Sequence, residues 1–339
     1  MSDELILVTG ATGRIGRVVV ADLLERGYRV RATTSRVNGP LQGDRRVEWR
    51  KLDFATEADL APVVEGCSAI LHLAAEIGRK ERMVAVNAKA TELLAQAAED
   101  AGVRAFCYTS SVTVYGSGRS IEIGEDSPVL TLERDVPSEY WALDYVREYG
   151  RTKLAGERAI MRTAKKMRCF VFRPAVVVDI SQIIGVREWS LVKRMLASHR
   201  HAHHVYVGDV SDALIWFMEK GLAGSGEAGR VEIYNLAEDE RPAPRHVDFM
   251  RKAFAACGDR RYNVVSVPGA IDWLHDFIRF RSLPLRNPLW RMRFSNERLK
   301  AAGYRFRYGM VDAEQRALAR LTNEAQMGGQ ADCVLEKSG

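Results

Sequence analysis

Two side chains in this sequence have the types and the spacing of a proton-transfer pair. Tyr149 and Lys153 stand four residues apart, so both lie on one face of any helix that contains them. A phenol has an ordinary pKa of about 10, and a nearby lysine cation favours the phenolate. Lowering that pKa by roughly three units requires about 4 kcal/mol of differential stabilisation. We predict that Tyr149 exchanges a proton with a substrate oxygen and that Lys153 lowers its pKa.

A glycine-rich segment near the start of the chain supplies the second half of the chemistry. Residues 9–16 read TGATGRIG, with Gly10, Gly13 and Gly16 separated by two residues each. Such glycines allow a tight turn, a close approach of the backbone to phosphate, and close packing of a helix on a strand. The N-terminus of the following helix adds N–H donors and partial positive charge. The segment predicts a dinucleotide pyrophosphate site, and both motifs together predict hydride transfer with nicotinamide, whose ribose Lys153 can hold.

The residues after the second predicted strand bear on the choice of cofactor. NAD-binding proteins usually place Asp or Glu there to hold the ribose 2′-hydroxyl, but this chain has Ser35 and Arg36, and no acid before Asp44. Arg36 could pair with a 2′-phosphate through charge-assisted hydrogen bonds, and Arg14 could reach the same side. Either arginine could instead be a solvated surface charge. The sequence therefore predicts NADP in preference to NAD, with NAD as the alternative.

A run of hydroxyl side chains follows the fifth predicted strand. Because the carboxyl ends of parallel strands face the ligand crevice, Ser111 is expected to hydrogen-bond the substrate oxygen and direct it towards Tyr149. Ser110 competes for this role, since the register of the strand is open at this point. Thr109 is expected to face the cofactor.

The elements that must position these residues alternate between apolar runs and helical patterns, which is typical of βαβ units. Strands are predicted at residues 5–8, 29–33, 47–49, 69–73, 105–109, 169–172 and 231–234, and helices at 14–26, from 56, at 84–98 and at 144–165. Right-handed crossovers wind these into an α/β Rossmann fold, a doubly wound parallel sheet.

The predicted domain organisation has two parts. Residues 1–178, with 205–236 returning to them, form the NAD(P)-binding domain, and residues 179–204 and 237–325 form a smaller, discontinuous substrate lobe. Residues 326–339 are predicted to be a flexible tail.

Composition narrows the classes of partner. The net charge of +6 and the pI near 9.1 could indicate nucleic acid, but Lys and Arg are scattered and no nucleic-acid-binding motif occurs. An anionic cofactor is the simpler explanation. The five cysteines are odd in number and not closely paired, which predicts reduced thiols and no disulfide framework. The absence of a signal-peptide pattern and of a membrane-length apolar run predicts a cytoplasmic protein without a membrane span.

A cluster of four histidines is a candidate metal site. His199, His201, His203 and His204 stand close together, and imidazole is a common ligand. The segment lacks nearby carboxylates, so contact with substrate is favoured and no metal is predicted.

With these motifs the chain resembles an extended short-chain dehydrogenase/reductase of the NAD-dependent epimerase/dehydratase superfamily, over nearly its whole length. The resemblance rests on TGATGRIG, LDF at 52–54, HLAA at 72–75, Asn87, the Ser111 segment, Tyr149 with Lys153, and Arg173-Pro174. It implies a Ser111, Tyr149 and Lys153 catalytic set and an adenine contact at Asp53 and Phe54. The full set of cofactor contacts that it implies is Gly10, Thr12, Gly13, Arg14, Ile15, Ser35, Arg36, Asp53, Phe54, Leu73, Ala74, Ala75, Asn87, Thr109, Tyr149, Lys153 and Pro174.

Within that superfamily, residues 24–33 are similar to the dihydroflavonol-reductase and 3β-hydroxysteroid-dehydrogenase branch, which interconverts carbonyls and alcohols. Ser35 stands where that branch often carries its phosphate-binding arginine, with Arg36 one residue later. Nucleotide-sugar dehydratases have Asp-Glu where this chain has Val112-Thr113, so water elimination is not expected.

Two alternatives to a carbonyl reductase stay open: a nucleotide-sugar epimerase with tightly bound NAD(P), and an NADP-sensing regulatory protein without turnover. The expected partner is accordingly a small carbonyl, alcohol or nucleotide-sugar substrate, with no nucleic acid. The resemblance also implies a homodimer.

Overall fold

The structure is a computed structural model that describes residues 4–35, 44–116, 120–132, 144–191, 203–238, 274 and 292–336, with the backbone alone at 144, 145, 186, 187 and 324–336. The strands are β1 (Leu5–Thr9), β2 (Arg29–Thr34), β3 (Val47–Lys51), β4 (Ala69–His72), β5 (Ala105–Thr109), β6 (Glu122–Ile123), β7 (Arg168–Pro174), β8 (Val176–Val178), β9 (His204–Tyr206), β10 (Val231–Leu236) and β11 (Arg293–Phe294). The α-helices are α1 (Arg14–Glu25), α2 (Ala61–Val64), α3 (Lys80–Met83), α4 (Ala90–Asp100), α5 (Asp144–Thr163), α6 (Ile180–Ile184), α7 (Val207–Leu222), α8 (Glu297–Ala301) and α9 (Gly309–Glu336). A π-helical segment spans Val84–Lys89, and 3₁₀ turns span Val112–Tyr115 and Gly185–Glu188.

Seven strands form one parallel sheet in the order β10-β7-β5-β4-β1-β2-β3. From β1 the chain proceeds outward through β2 and β3, and then returns to β4 and proceeds outward the other way. Every residue of β1, β4 and β5 is buried, because a parallel sheet of this kind is covered on both faces. This is the doubly wound α/β fold predicted from the sequence. The direction of winding reverses between β1 and β4, which is where such sheets form a ligand crevice.

Helices cover both faces of the sheet. On one face α1 and α7 pack together and onto the sheet, through an apolar cluster that includes Val19, Leu23 and Phe217. On the other face α4 and α5 pack through a second cluster that includes Leu94 and Ile160. The helix α5 is therefore anchored along its length against the sheet, and its position fixes the side chains that it carries towards the crevice.

The sequence predicted the end of α1 correctly but placed the start of α2 too early. Gly27, at φ +85°, follows α1 as predicted for a C-terminal glycine, since a positive φ favours glycine. The helix predicted to begin at Thr56 begins instead at Ala61. Residues 53–56 form a turn, because the Asp53 carboxylate accepts a hydrogen bond from the Ala55 amide at 3.0 Å.

The helix predicted over residues 84–98 is not one regular α-helix. The chain enters it through α3, widens into the π-helical segment at Val84–Lys89, and continues as α4 to Asp100. A π-helical turn accommodates one extra residue per turn and occurs frequently at functional sites. Asn87 lies in this segment, so its side chain has a position that a regular helix would not give it.

The C-terminal part of the described chain packs beside the carboxyl ends of the strands. Two short parallel pairs form, β6 with β11 and β8 with β9. Helix α9 packs against α6 and β9, and the Asp209 carboxylate holds its start by accepting hydrogen bonds from the amides of Tyr308 and Gly309, each at 2.8 Å. The backbone of residues 326–336 continues this helix. The flexible tail predicted for residues 326–339 stays a prediction. Among the described residues no helix has the length and apolar character needed to cross a membrane.

Candidate active site

The glycine turn after β1 packs so closely against neighbouring backbone that Gly10 and Gly16 leave no room for a Cβ, as the sequence predicts. Gly10 has φ +64°, and a Cβ added there would lie 2.9 Å from the Ala74 Cα. A Cβ on Gly16 would lie 2.3 Å from the Gly10 carbonyl oxygen, which is closer than any side chain could tolerate. The Gly13 amide donates to the Gly10 carbonyl at 2.9 Å, immediately before α1 begins. The turn therefore leaves the backbone open to a phosphate and brings the N-terminus of α1 to it.

A buried hydrogen-bond chain holds the loop after β4 against this turn. The amides of Leu73 and Ala74 both donate to the Thr9 hydroxyl at 3.0 Å. The Thr9 hydroxyl then donates to Nδ1 of His72 at 2.7 Å, so the ring proton of His72 is on Nε2, which donates to Thr91 Oγ1 at 3.0 Å. Burial lowers the pKa of His72 to about 3, so the ring is neutral at physiological pH. The sequence analysis noted His72 only as part of a motif and missed this role.

Asn87 connects the same loop to α5. Its Nδ2 donates to the Glu76 carbonyl at 2.8 Å and to Thr152 Oγ1 at 3.0 Å, and its Oδ1 accepts from the Glu76 amide at 2.8 Å. Thr152 in turn donates to the Tyr149 carbonyl. Asn87 is fully buried and does not line the cleft described next. Asn87 therefore connects the loop after β4 with the helix that carries Tyr149. Its direct contact with the cofactor stays a prediction.

A cleft of about 250 Å³ opens at the carboxyl ends of β1, β2, β3 and β4. Most of the predicted cofactor contacts in the first 80 residues line it: Gly10, Thr12, Gly13, Ser35, Asp53, Phe54, Leu73, Ala74 and Ala75. The cleft is also lined by residues that the sequence analysis did not single out: Thr33, Thr34, Leu52, Glu76, Arg79, Arg82 and Val86. Arg36 lies outside the described residues. The cleft runs from the glycine turn towards the end of β3, the path expected for the adenosine half of a dinucleotide.

Asp53, the predicted adenine contact, is paired with an arginine that the sequence analysis missed. Arg82 Nη2 donates to both carboxylate oxygens of Asp53, at 2.6 and 2.9 Å. The hydrogen bond from Arg82 lowers the pKa of Asp53, so the carboxylate is ionised. Arg82 follows the loop after β4, and only the folded chain brings it beside the end of β3.

Arg14 and Ile15 do not line the cleft. The Arg14 guanidinium donates from Nη1 to the Val177 carbonyl at 2.8 Å, and its Nε is 3.7 Å from Asp179. These contacts turn Arg14 towards β8, away from Ser35 at the end of β2. Ile15 is half-buried and packs against the apolar cluster under α1. Pro174, at the end of β7, is buried in pairing with Leu236 of β10.

Tyr149 and Lys153 lie one turn apart on α5, and Lys153 is nearly enclosed. Its side chain is 1% exposed, and its Nζ has no hydrogen-bond partner among the described residues. The Nζ lies 4.2 Å from the centre of the Tyr108 ring, a cation–π contact. Burial lowers the pKa of Lys153 to about 7, and the nearby Glu157 carboxylate partly opposes this.

The pKa of Tyr149 differs from the sequence expectation. Burial raises it above the ordinary value of a phenol, whereas the sequence analysis expected Lys153 to lower it. The reason is that the site desolvates both groups, so the phenolate loses hydration while Lys153 is itself only partly charged near neutral pH. The protein groups alone therefore favour the phenol.

Ser111 and Ser110 have different surroundings at the end of β5. Ser110 is 2% exposed and donates to the Glu157 carboxylate at 2.5 Å, so its hydroxyl is already used. Ser111 Oγ accepts from the Thr113 amide at 3.2 Å, which leaves its own O–H as a donor. The Thr109 hydroxyl is buried, and within the described part of the chain it has no hydrogen-bond partner. This arrangement favours Ser111 over Ser110 for contact with substrate.

Two glycines in α5 that the sequence analysis missed let the helix approach this region closely. A Cβ on Gly150 would lie 2.5 Å from the Thr113 carbonyl oxygen, directly beside the Ser111 turn. A Cβ on Gly156 would lie 2.5 Å from the Tyr108 hydroxyl and 2.6 Å from the Asn87 carbonyl. The only signal in the sequence was their place next to the Tyr149 and Lys153 motif.

The histidine cluster is only partly described. His203 and His204 are in the structure, while His199 and His201 lie outside the described residues. Over the ranges that are described, no three His, Cys, Asp or Glu side chains come together as a metal site. The expectation that no metal is bound stays a prediction.

Comparison with known proteins identifies the family. The model of the NAD dependent epimerase/dehydratase family matches residues 6–237. The chain belongs to this family. It is an extended short-chain dehydrogenase/reductase, an NAD(P)-dependent enzyme, as the motifs indicated.

Three proteins illustrate what this chain is similar to. A 3-beta-hydroxysteroid dehydrogenase of Mycolicibacterium neoaurum is 27% identical over 315 residues, which are 84% of this chain and 80% of that protein. A short-chain dehydrogenase/reductase superfamily protein from Agrobacterium tumefaciens, solved with bound NAD, has a TM-score of 0.72 at 22% identity and covers 97% of this chain and all of its own. A human epimerase family protein solved with NADPH has a TM-score of 0.61 at 19% identity, over 94% of this chain and 99% of its own. The two structures show that the fold is shared.

Proposed function

We propose that this enzyme transfers hydride reversibly between NADP and a carbonyl or secondary-alcohol substrate, with Ser111, Tyr149 and Lys153 as its catalytic residues. The observation that best supports this proposal is the environment of Lys153. Its Nζ is buried without a hydrogen-bond partner among the described residues, one turn from Tyr149. An unpaired buried ammonium is destabilising unless a ligand uses it, so a bound polar group is what makes this position useful.

The described residues fit a dinucleotide. The turn at Gly10, into which no Cβ fits, and the N-terminus of α1 would hold the pyrophosphate. Asp53 and Phe54 line the adenosine end of the cleft. Lys153 Nζ and Thr109 Oγ1, both buried without partners in the described chain, would take the ribose and amide groups of the nicotinamide half. When bound, the nicotinamide supplies or accepts the hydride.

The protein residues manage the proton that accompanies the hydride. In reduction, the Tyr149 phenol gives its proton to the carbonyl oxygen as hydride reaches the carbonyl carbon; in oxidation, the phenolate takes the hydroxyl proton as hydride leaves that carbon. The raised pKa of Tyr149 keeps the phenol protonated, which suits donation, and the Lys153 cation stabilises the phenolate left behind. Ser111 donates a hydrogen bond to the same substrate oxygen and so directs it to Tyr149.

A preference for NADP is supported by the absence of an acid at the end of β2. Thr33, Thr34 and Ser35 line the cleft there, and Arg36 follows in the sequence. The two acids that do line the cleft, Asp53 and Glu76, are paired with Arg82 and Arg79. Replacement of Arg36 by Ala should weaken NADPH binding in a fluorescence titration by roughly tenfold while NADH binding changes little. Arg45→Ala, at an exposed position, is the matched control, and equal losses for both nucleotides would refute the assignment.

The catalytic assignment is tested with Tyr149→Phe. The first substrates to screen are 3β-hydroxysteroids with NADP⁺, because a relative over most of the chain carries that name, followed by a panel of ketones with NADPH. General acid–base catalysis contributes about 10²–10⁴-fold, so kcat should fall by that factor while NADPH still binds. Tyr28→Phe, away from the site, is the control. Turnover by Tyr149→Phe at the wild-type rate would rule out the mechanism.

Epimerisation is the second candidate, because the family description includes it and the same three residues can serve it. Its signature is a nucleotide that survives purification and a substrate converted without net change in cofactor oxidation state. The regulatory alternative is disfavoured, since a sensor has no need of the complete set of Ser111, Tyr149 and Lys153. The substrate lobe and the homodimer remain predictions, and we propose them on the resemblance alone.

A further inference from the structure

A fully buried ion pair lies directly behind the candidate site. Glu157 and Arg173 have side chains 0% and 3% exposed, and the guanidinium donates to both carboxylate oxygens, at 3.0 and 2.6 Å. Glu157 stands on α5 one turn after Lys153, so it shares the helix face that carries Tyr149 and Lys153. Arg173 comes from the end of β7.

The pair connects most of the elements that surround the site. Ser110, the residue before Ser111, donates to the Glu157 carboxylate. Arg173 also donates to the Tyr115 hydroxyl at 3.0 Å, and Tyr115 donates to Asn235 of β10 at 2.6 Å. A single buried carboxylate therefore connects α5 with the ends of β5 and β7, and through them with β10.

Stability alone is a poor reason for such a pair. Removing two charges from water costs several kcal/mol per ion, and well-packed apolar side chains often serve as well. The negative charge of Glu157 can instead act on the site, because Lys153, a cation without a hydrogen-bond partner in the described chain, stands one turn before it on α5.

We propose that Glu157 is a positioning residue that keeps Lys153 protonated and, through Ser110, fixes the end of β5 so that Ser111 faces Tyr149. The inference rests on the proposed function and adds a residue to it. The charged and titratable groups around Lys153 in the described structure are Tyr149 and Glu157 on its own helix, with Tyr108 and His72 from the sheet. His72 is neutral and the two tyrosines are phenols at neutral pH, so Glu157 is the negative charge acting on Lys153. Arg173, the other charge of the pair, partly offsets the charge of Glu157.

The first experiment measures the proton affinity of Lys153 without any need for turnover. Urea unfolding is followed from pH 5.5 to 9.5 for wild type, Lys153→Met, Glu157→Gln and the double variant; the difference that Lys153→Met makes in each background reports where Lys153 titrates. Glu157→Gln should lower the proton affinity of Lys153 at least fivefold. Glu92→Gln, which removes an exposed carboxylate from α4, is the control and should leave it unchanged. A change of less than twofold in Glu157→Gln would overturn the proposal.

Glu157→Gln leaves Arg173 as a buried cation without its carboxylate, and it could fail to fold. In that case the same measurement is made with Glu157→Gln/Arg173→Met, which removes the pair as a unit. The same direction of change is expected, because Glu157 stands one turn from Lys153 on α5 and Arg173 only partly offsets its charge. An unchanged proton affinity in this pair variant refutes the proposal.

The second experiment tests the contact through Ser110. Ser110→Ala removes the hydrogen bond and leaves the charge, so kcat should fall at least tenfold with little change in the Kd of NADPH and no change in Lys153 titration. Wild-type kcat in Ser110→Ala would overturn this part. The two proposals remain separable: turnover by Tyr149→Phe refutes the proposed function, whereas an unmoved Lys153 in Glu157→Gln with normal Tyr149 dependence refutes only this inference.

Discussion

The replacement of Lys153 by Met is expected to stabilise the protein while abolishing its activity. Methionine has nearly the length of the lysine stem and no charge, and Lys153 is 1% exposed with no hydrogen-bond partner for Nζ among the described residues. The substitution therefore removes a desolvated cation without opening a large cavity.

The size of the effect follows from the pKa of Lys153, which burial lowers from 10.5 to about 7. Between those two values the unfolded chain binds a proton that the folded chain does not, so the stability of the wild type rises with pH across this window. At 1.36 kcal/mol per pKa unit, burial of Lys153 destabilises the fold by about 5 kcal/mol at pH 6, where the lysine is mostly charged, and by about 2 kcal/mol at pH 9, where folding requires it to lose its proton. Lys153→Met lacks this dependence.

Urea unfolding at pH 6 and pH 9 measures both quantities. The advantage of Lys153→Met over wild type should shrink by about 3 kcal/mol between the two pH values. Lys165→Met, at an exposed position just beyond the end of α5, is the control and should show no such change. An advantage that does not vary with pH, or a variant less stable than wild type throughout, would contradict the desolvation of Lys153 on which the proposed mechanism depends.

Two further predictions concern the crevice. In urea unfolding, Gly10→Ala should lower the free energy of unfolding by at least about 2 kcal/mol more than Gly66→Ala and should abolish NADPH binding. Both glycines have positive φ, but only at Gly10 does the new Cβ meet backbone, at 2.9 Å from the Ala74 Cα. Equal losses of stability in the two variants would show that the close approach is absent. Burial lowers the pKa of His72 to about 3, so the wild type should lose roughly 2–3 kcal/mol of stability as the pH falls from 7 to 4.5, because the unfolded chain takes up the proton first. His72→Gln should lose that part of the acid sensitivity, and an identical pH profile would mean that the ring titrates normally.

The features predicted correctly from the sequence depend on local spacing. The alternation of apolar runs and helical patterns predicted the parallel sheet, because each strand and crossover helix leaves its own periodicity in the chain. The glycines at 10, 13 and 16 predicted the tight turn, since Gly13 and Gly16 approach the Gly10 carbonyl within the same eight residues, whereas the close approach of Gly10 to Ala74 depends on the fold. The cleft then formed where that turn meets the end of β4.

The errors have two physical causes: a turn or hydrogen bond that competes with the helical pattern, and a burial that residue spacing does not reveal. The helix expected from Thr56 was displaced because the Asp53 carboxylate holds a turn there, and the regular helix expected over 84–98 contains a π-helical segment around Asn87. The lowered pKa expected for Tyr149 is not produced by the protein groups alone, since nothing in the spacing of Tyr149 and Lys153 reveals that the fold encloses Lys153 and desolvates the phenol.

The sequence by itself thus determined the family, the parallel sheet, the phosphate turn and the pairing of Tyr149 with Lys153 on one helix face, because each is written in residues that are neighbours along the chain. Only the tertiary structure decided that Ser110 is used by Glu157 while Ser111 keeps a proton to donate, and that Lys153 is enclosed. Burial and charge depend on which strands and helices come together, and residues 16 and 47 positions apart, as in the contacts of Glu157, carry no joint signal in one sequence.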